Sequence, residues 1–272
     1  MLDALPEQVQ ALTIIGSHAV HERTRDLDLE STSTNDGDFG VTPEVASDAP
    51  SLSQALRDAG FRPLTEFSDE LPDYHPGKTR WSSRPGLWGT GISDAGEPEN
   101  EVDLLVPETL AGAKGRSAKT LPAHGKSMIG RVAGIELAVK ERSLLPIRDY
   151  IDNSVRHAYV SRISGIICAK TYKISDRMNE AKQSRRANIP KDIVDMWRCM
   201  ATSDSEDVRA EFERHFSDVK SGPAIRIGFQ RFTSLLNDPQ LVVILQNELA
   251  LGGVTESYIS GIFDRWRRVF NK

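Results

Sequence analysis

With 272 residues, 39% of them apolar, the chain is long enough to bury a substantial core, and two modest domains are expected. It has no run of 18 apolar residues, and its first ten residues carry acidic residues and proline where a signal peptide would be basic, so the expectation is a soluble cytoplasmic protein with no membrane partner. The net charge of −5 hides an asymmetry: residues 1–110 carry a net −14 and residues 111–272 a net +9, a division that suits a nucleotide or nucleic-acid substrate.

The first element is the β-branched run Leu12-Thr13-Ile14-Ile15, which stops at Gly16-Ser17 and gives way to a helical segment, His18 to Arg23. A second short strand, Asp38 to Val41, ends at Pro43. The spacing of Leu52 to Ala59 predicts a helix stopped by Gly60. Residues 66–100 are rich in Pro, Gly, Ser and Asp, with short strands expected at Thr79 to Ser82 and Leu87 to Ile92. Val102 to Val106 is an apolar run interrupted by Asp103 and closed by Pro107. From Ala111 to Gly130 the composition of Ala, Gly, Lys and Ser reads as a linker. Beyond it helices are expected at Arg148 to Val155, Ser161 to Ala181, Pro190 to Thr202, Glu206 to Val219, Phe229 to Leu236, Gln240 to Leu249 and Thr255 to Phe270. Cys168 and Cys199 lie in apolar stretches without metal-ligand spacing and read as small buried hydrophobes.

The chemistry concentrates in three places. Asp36 and Asp38, at i and i+2 on a strand, point to one face, where two carboxylates repel unless a cation sits between them. Mg²⁺ accepts such oxygen ligands together with substrate phosphates. Asp103, inside an apolar strand, needs a partner or a metal to offset its burial, so Asp36, Asp38 and Asp103 are the candidate metal ligands. Asp26 and Asp28 offer a competing pair, less favoured because they fall in a polar stretch. The Gly16-Ser17 turn at a helix start offers backbone N–H groups to phosphate oxygens, while His18 and His21 read as ordinary helix-face residues.

On the helix from Ser161, Ile163, Ile166, Ile167, Ile174, Met178 and Ala181 share a face with Lys170 and Arg177, and Lys173 lies beside it. Cations in an apolar stripe call for an anionic partner, whether a triphosphate or an acidic cluster. Pro190 suits the start of the next helix, with Lys191 and Asp192 in its first turn and Val194, Trp197 and Ala201 facing inward. Asp192 either complements the helix dipole or orients Lys170 or a substrate hydroxyl.

Ile14-Ile15-Gly16-Ser17-x-Ala19, Thr34-x-Asp36-x-Asp38-Phe39, Val102-Asp103-Leu104-Leu105, Ala169-Lys170-x-x-Lys173-x-x-x-Arg177 and Lys191-Asp192-x-x-Asp195 together resemble the DNA polymerase β type nucleotidyltransferases, and more closely the AbiEii and MenT group of toxins. The resemblance runs from Leu12 to Met200. It implies an α+β fold, with a nucleotidyltransferase-type mixed sheet flanked by helices at 1–110 and a mainly helical domain at 111–272 that completes the NTP site. It also implies Mg²⁺ or Mn²⁺ as cofactor and an NTP as substrate, with NMP transferred to an acceptor, foremost the 3′ end of tRNA, and a cognate antitoxin as partner. Carried over residue by residue, Gly16, Ser17, Asp36 and Asp38 hold the triphosphate and metal, Asp103 assists, Lys170 contacts phosphates, and Lys191 with Asp192 supplies the Lys-Asp motif. The chain departs from the pattern in its long Gly-Ser to Asp36 spacing and in Gly37 between the carboxylates. A small-molecule or protein acceptor and a catalytically inactive NTP-binding module are the alternatives.

Overall fold

The computed structural model describes residues 5–27, 36–67, 85–93, 98–112, 121–124, 128–148, 153–180, 186–249 and 252–272. The fold is α+β: a mixed sheet with N-terminal strands and helices, then a helical C-terminal region. The chain divides into two compact units. The first comprises Met1–His18, Ser33–Val132 and Ser143–Val160, and the second Ala19–Thr32, Ala133–Arg142 and Ser161–Lys272.

In the first unit the strands are β1 (Leu12–Ile14), β2 (Asp36–Val41), β3 (Arg62–Pro63), β4 (Leu87–Gly89), β5 (Gly91–Ile92), β6 (Pro98–Glu99), β7 (Glu101–Pro107), β8 (Gly130–Val132), β9 (Arg142–Arg148) and β10 (Val155–Ser161). Among the described residues the main sheet runs β3-β4-β7-β2-β1-β10-β9, with β8 also paired to β7, while β5 and β6 pair with each other. β1 is antiparallel to β2 and parallel to β10, and β2 is parallel to β7. The parallel pair needs a long crossover. Between β2 and β7 the chain makes helix α2 (Leu52–Asp58) and the strands β3 and β4.

Helix α2 buries Leu52, Ala55 and Leu56, an i, i+3, i+4 stripe. At its start the Ser51 hydroxyl accepts from Gln54 N–H and the His124 Nδ1 accepts from Leu52 N–H at 2.9 Å. At its end Gly60 N–H bonds Arg57 C=O and Phe61 N–H bonds Leu56 C=O, the paired bonds of a Schellman stop. β7 is buried from Val102 to Pro107, so both faces of this strand are covered and its sequence shows no polar alternation apart from Asp103.

Helix α1 (Gly16–Thr24) passes from the first unit into the second. The second unit further contains α3 (Glu136–Lys140), α4 (Ile163–Met178), α5 (Ile189–Ala201), α6 (Ser205–Arg214), α7 (Gly222–Leu236), α8 (Pro239–Leu249) and α9 (Glu256–Phe270). Trp197, Trp266, Phe212, Phe232 and Phe263 are fully buried at its centre. Phe270 meets Phe232 edge-on at 5.0 Å and stacks on Trp266 at 5.5 Å, geometries that add to simple area burial. Helix ends are closed by side chains. Asp204 accepts from Glu206 and Asp207 N–H at the start of α6, and Thr255 caps α9. Arg265 and Trp266 both donate to Met200 C=O near the end of α5, and Arg267 donates to Leu236 C=O at the end of α7.

Several local expectations are corrected. The helix expected at Arg148 to Val155 is replaced in the described residues by strand: Arg148 closes β9 and Val155 opens β10. The helix expected to run to Val219 stops at Arg214, and Val219 lies 93% exposed in the following turn. α7 starts seven residues before Phe229, at Gly222. Met178 is 39% exposed rather than part of the buried stripe of α4. Gly130, read as linker, belongs to β8. The expected strand at Thr79 to Ser82, together with Asp28, Thr34 and Ala181, lies outside the described residues. Among the described residues no helix is long and apolar enough to cross a membrane. Cys168 and Cys199 are free and buried, as the sequence indicates.

Candidate functional site

The register of β2 against β7 sets Asp36 opposite Glu101 and Asp38 opposite Asp103. Because side chains alternate along a strand, all four carboxylates lie on one face of the sheet, in two cross-strand pairs about 4.8 Å apart in backbone spacing. Asp103 is 3% exposed, whereas Asp36, Asp38 and Glu101 are half-buried. Two acidic pairs held this close on a partly buried face set up mutual repulsion that a divalent cation relieves.

The neighbouring strand brings the Gly-Ser turn to the same place. β1 pairs with β2 through Ile14 opposite Phe39, and Ile15 N–H donates to Asp38 C=O at 3.0 Å, so the chain leaves β1 directly beside Asp38. Gly16 then turns with φ +66°, and a Cβ at this position would sit 2.2 Å from Asp38 Oδ2. The left-handed conformation and the close approach both demand glycine. Ser17, half-buried, follows in the first turn of α1. On the other side of the row Gly86, φ +95°, places its backbone against Asp103: its C=O accepts from Leu104 N–H, and a Cβ there would lie 3.2 Å from Asp103 Oδ1.

The donor set is all oxygen, which fits Mg²⁺ or Mn²⁺. Among the described residues no group of three His, Cys, Asp or Glu side chains is placed to hold a metal ion by itself. Mg²⁺ ordinarily takes one or two protein carboxylates and completes its shell with water and substrate phosphates, so a carboxylate pair beside a phosphate-sized backbone cradle meets its requirement. Asp26, from the competing pair, lies exposed in the turn after α1.

In the second unit α4 and α5 share a buried ion network. Lys170, on α4, donates to Asp192 Oδ1 at 2.9 Å and to Asp195 Oδ2 at 2.5 Å; its side chain is 4% exposed and the two carboxylates 2% and 3%. Arg177 bonds the other oxygen of Asp192, and Lys173, 49% exposed, stands 3.9 Å from Asp192 Oδ1. The i, i+3, i+7 spacing on α4 and i, i+3 spacing on α5 put these five groups on facing helix sides. Burial works to lower the Lys170 pKa, but Asp192 and Asp195 outweigh it and hold the ammonium above its usual range. Burial likewise pushes Asp192 up, and the cations Lys170, Lys173 and Arg177 bring it below the ordinary carboxylate value. Lys191 is half-buried in the first turn of α5, and Pro190 occupies the second position of that helix because it begins at Ile189. His18 is exposed and His21 half-buried on α1.

The structure therefore gathers Gly16, Ser17, Asp36, Asp38 and Asp103 in the first unit, and Lys170, Lys173, Arg177 and Asp192 in the second. Sequence reasoning missed Glu101 and left Asp195 without a role. Glu101-Val102-Asp103 repeats the i, i+2 carboxylate spacing of Asp36-Gly37-Asp38, and Asp195 follows Asp192 by one helical turn; both signals were present. No family model, curated protein or solved structure matches the chain.

Proposed function

We propose that the protein is a metal-dependent nucleotidyltransferase that moves an NMP from an NTP to a hydroxyl acceptor, foremost the 3′ end of tRNA. The observation that carries the reading is the in-register pairing of Asp36 and Asp38 with Glu101 and Asp103 beside the Gly16 turn. In the reaction the acceptor oxygen forms a bond to the α-phosphorus, the bond from that phosphorus to the β-bridging oxygen breaks, and pyrophosphate leaves with the electron pair. The acceptor proton passes to the carboxylate row. When bound, a divalent ion on Asp36, Asp38 and Asp103 lowers the cost of the charge that builds on the phosphoryl oxygens. The backbone at Gly16-Ser17 gives the phosphates N–H donors at the start of α1, and α4 and α5 of the second unit supply cations. The residue pattern shared with the AbiEii and MenT group supports a toxin role with a cognate antitoxin.

The test is incubation of the protein and Mg²⁺ with each α-labelled NTP in the presence of deacylated tRNA, total protein or small hydroxylated compounds in parallel. Label in the RNA that is lost in Asp36→Asn and Asp103→Asn supports the reading as stated. Label in another acceptor moves the substrate, and no label in any acceptor refutes the transferase.

A further inference from the structure

We infer that Lys170 is a positioning residue and that the phosphate-facing cation of α4 is Lys173, with Arg177 held in place behind it. This deepens the proposed nucleotidyltransferase reading and rests on it for the identity of the ligand, a nucleoside triphosphate. An ammonium has three N–H donors, and Lys170 directs two of them to Asp192 Oδ1 and Asp195 Oδ2 while its side chain is 4% exposed. To meet a phosphate it would have to abandon two buried, charge-assisted bonds and leave two carboxylates uncompensated. Its geometry is that of a strut between α4 and α5.

What the strut holds is the orientation of Asp192. With Oδ1 fixed by Lys170, Oδ2 faces Arg177, whose side chain is 20% exposed. Lys173 stands at the open margin, 49% exposed and 3.9 Å from Asp192 Oδ1, beyond ordinary hydrogen-bond length. Lys170, Lys173 and Arg177 against Asp192 and Asp195 leave the group one positive charge in excess, and the side chain that carries it into solvent is Lys173. Asp195 acquires a role by the same argument: it shares the Lys170 ammonium so that a single carboxylate, Asp192, faces the more exposed cations.

The experiment measures the affinity of the full chain for inorganic tripolyphosphate by calorimetry, alongside the KM and kcat of NMP transfer and the thermal midpoint. Lys173→Met should weaken tripolyphosphate binding and raise the NTP KM roughly tenfold, the loss of one charge-assisted contact, with kcat and midpoint little changed. Lys170→Met should also weaken binding, because it cancels the excess charge. Lys170→Met/Asp195→Asn restores the charge balance and should return the affinity to within about threefold of the original protein. A direct phosphate ligand gives a different pattern, in which the double variant stays at least tenfold weaker although folded, and that result overturns the assignment. So does a Lys173→Met protein that binds as tightly as the original. If Lys170→Met alone does not fold, the charge-balanced double variant and the exposed Lys173→Met decide. If the unaltered chain binds no tripolyphosphate, the phosphate role of Lys173 is overturned, while transfer to labelled acceptors judges the nucleotidyltransferase reading separately.

Discussion

Substituting Gly16 by alanine puts one methyl group into the candidate site and separates two effects that glycine serves at once. The first is conformational: at φ +66° an L-residue is strained, at a cost of roughly 1–2 kcal/mol. The second is steric: the new Cβ would lie 2.2 Å from Asp38 Oδ2, and relief to at least 3.0 Å moves that carboxylate by about 0.8 Å. Gly60, also in the first unit and at φ +86° with nothing within 4 Å of its Cβ position, supplies the control, since Gly60→Ala carries the strain without the collision. Both variants should lose a few degrees in thermal midpoint, at about 2–4 °C per kcal/mol for a chain of this size. Only Gly16→Ala should lose transfer, by on the order of 10²-fold in kcat/KM, because a catalytic group displaced by close to 1 Å has that effect. Differential scanning calorimetry and single-turnover transfer of labelled NMP read the two quantities. Equal stability losses with transfer by Gly16→Ala within threefold of Gly60→Ala would refute the placement of Asp38 in the chemistry.

Other consequences follow from buried and capping charges. Lys170→Met leaves Asp192 and Asp195 buried and facing each other, and should destabilise the second unit by roughly 3–5 kcal/mol in chemical denaturation, with Asp195→Asn recovering part of the loss. His124 is fully buried with Nδ1 accepting from Leu52 N–H, and burial lowers its pKa, so the folded state favours the neutral ring. The associated stability is complete above about pH 6.5 and is lost as the pH falls below it, a dependence that His124→Gln should flatten in melts between pH 5 and about 7. Asp218 accepts from Ser221 and Lys220 N–H and from Lys140, which pull its pKa down to about 2. Its contribution is present above the unfolded carboxylate value near 3.8 and disappears as the pH falls toward 2, so Asp218→Asn should remove that part of the acid sensitivity.

Much of the site was legible because its signals are local. The carboxylates at Asp36, Asp38 and Asp103 stand out as charges in or beside apolar strands, and period-two alternation alone puts Asp36 and Asp38 on one face. The glycine at Gly16 marks a strand-to-helix turn in any window. What stayed hidden is pairing between distant segments. That Asp38 lies opposite Asp103 depends on β2 running parallel to β7, a register no short window contains. β10 was missed for the same reason: Val155 to Ser161 becomes a strand by pairing with β1, Ile14 against Val160, across almost the whole first half of the chain. Charged residues after Arg148 resembled a helix face, although Pro146 and the exposed Leu144 suit a sheet edge. In the second unit the helical period located α4 and α5 to within a few residues, and the apolar setting of Lys170 foretold an anionic partner. Whether that partner was substrate or protein could not be read from α4 alone. The geometry supplies Asp192 and Asp195.

The central claim is that the paired carboxylates of β2 and β7 carry metal-dependent NMP transfer. Its most direct test is transfer from α-labelled NTP to deacylated tRNA by the unaltered chain and by Asp38→Asn, each with Mg²⁺ and with a chelator. The account predicts label in the RNA only for the unaltered chain with Mg²⁺, and Asp38→Asn reduced by at least about 10³-fold with an unchanged melting profile, as expected for removal of an essential electrostatic group. Undiminished labelling by Asp38→Asn, or labelling that survives complete chelation, would contradict it.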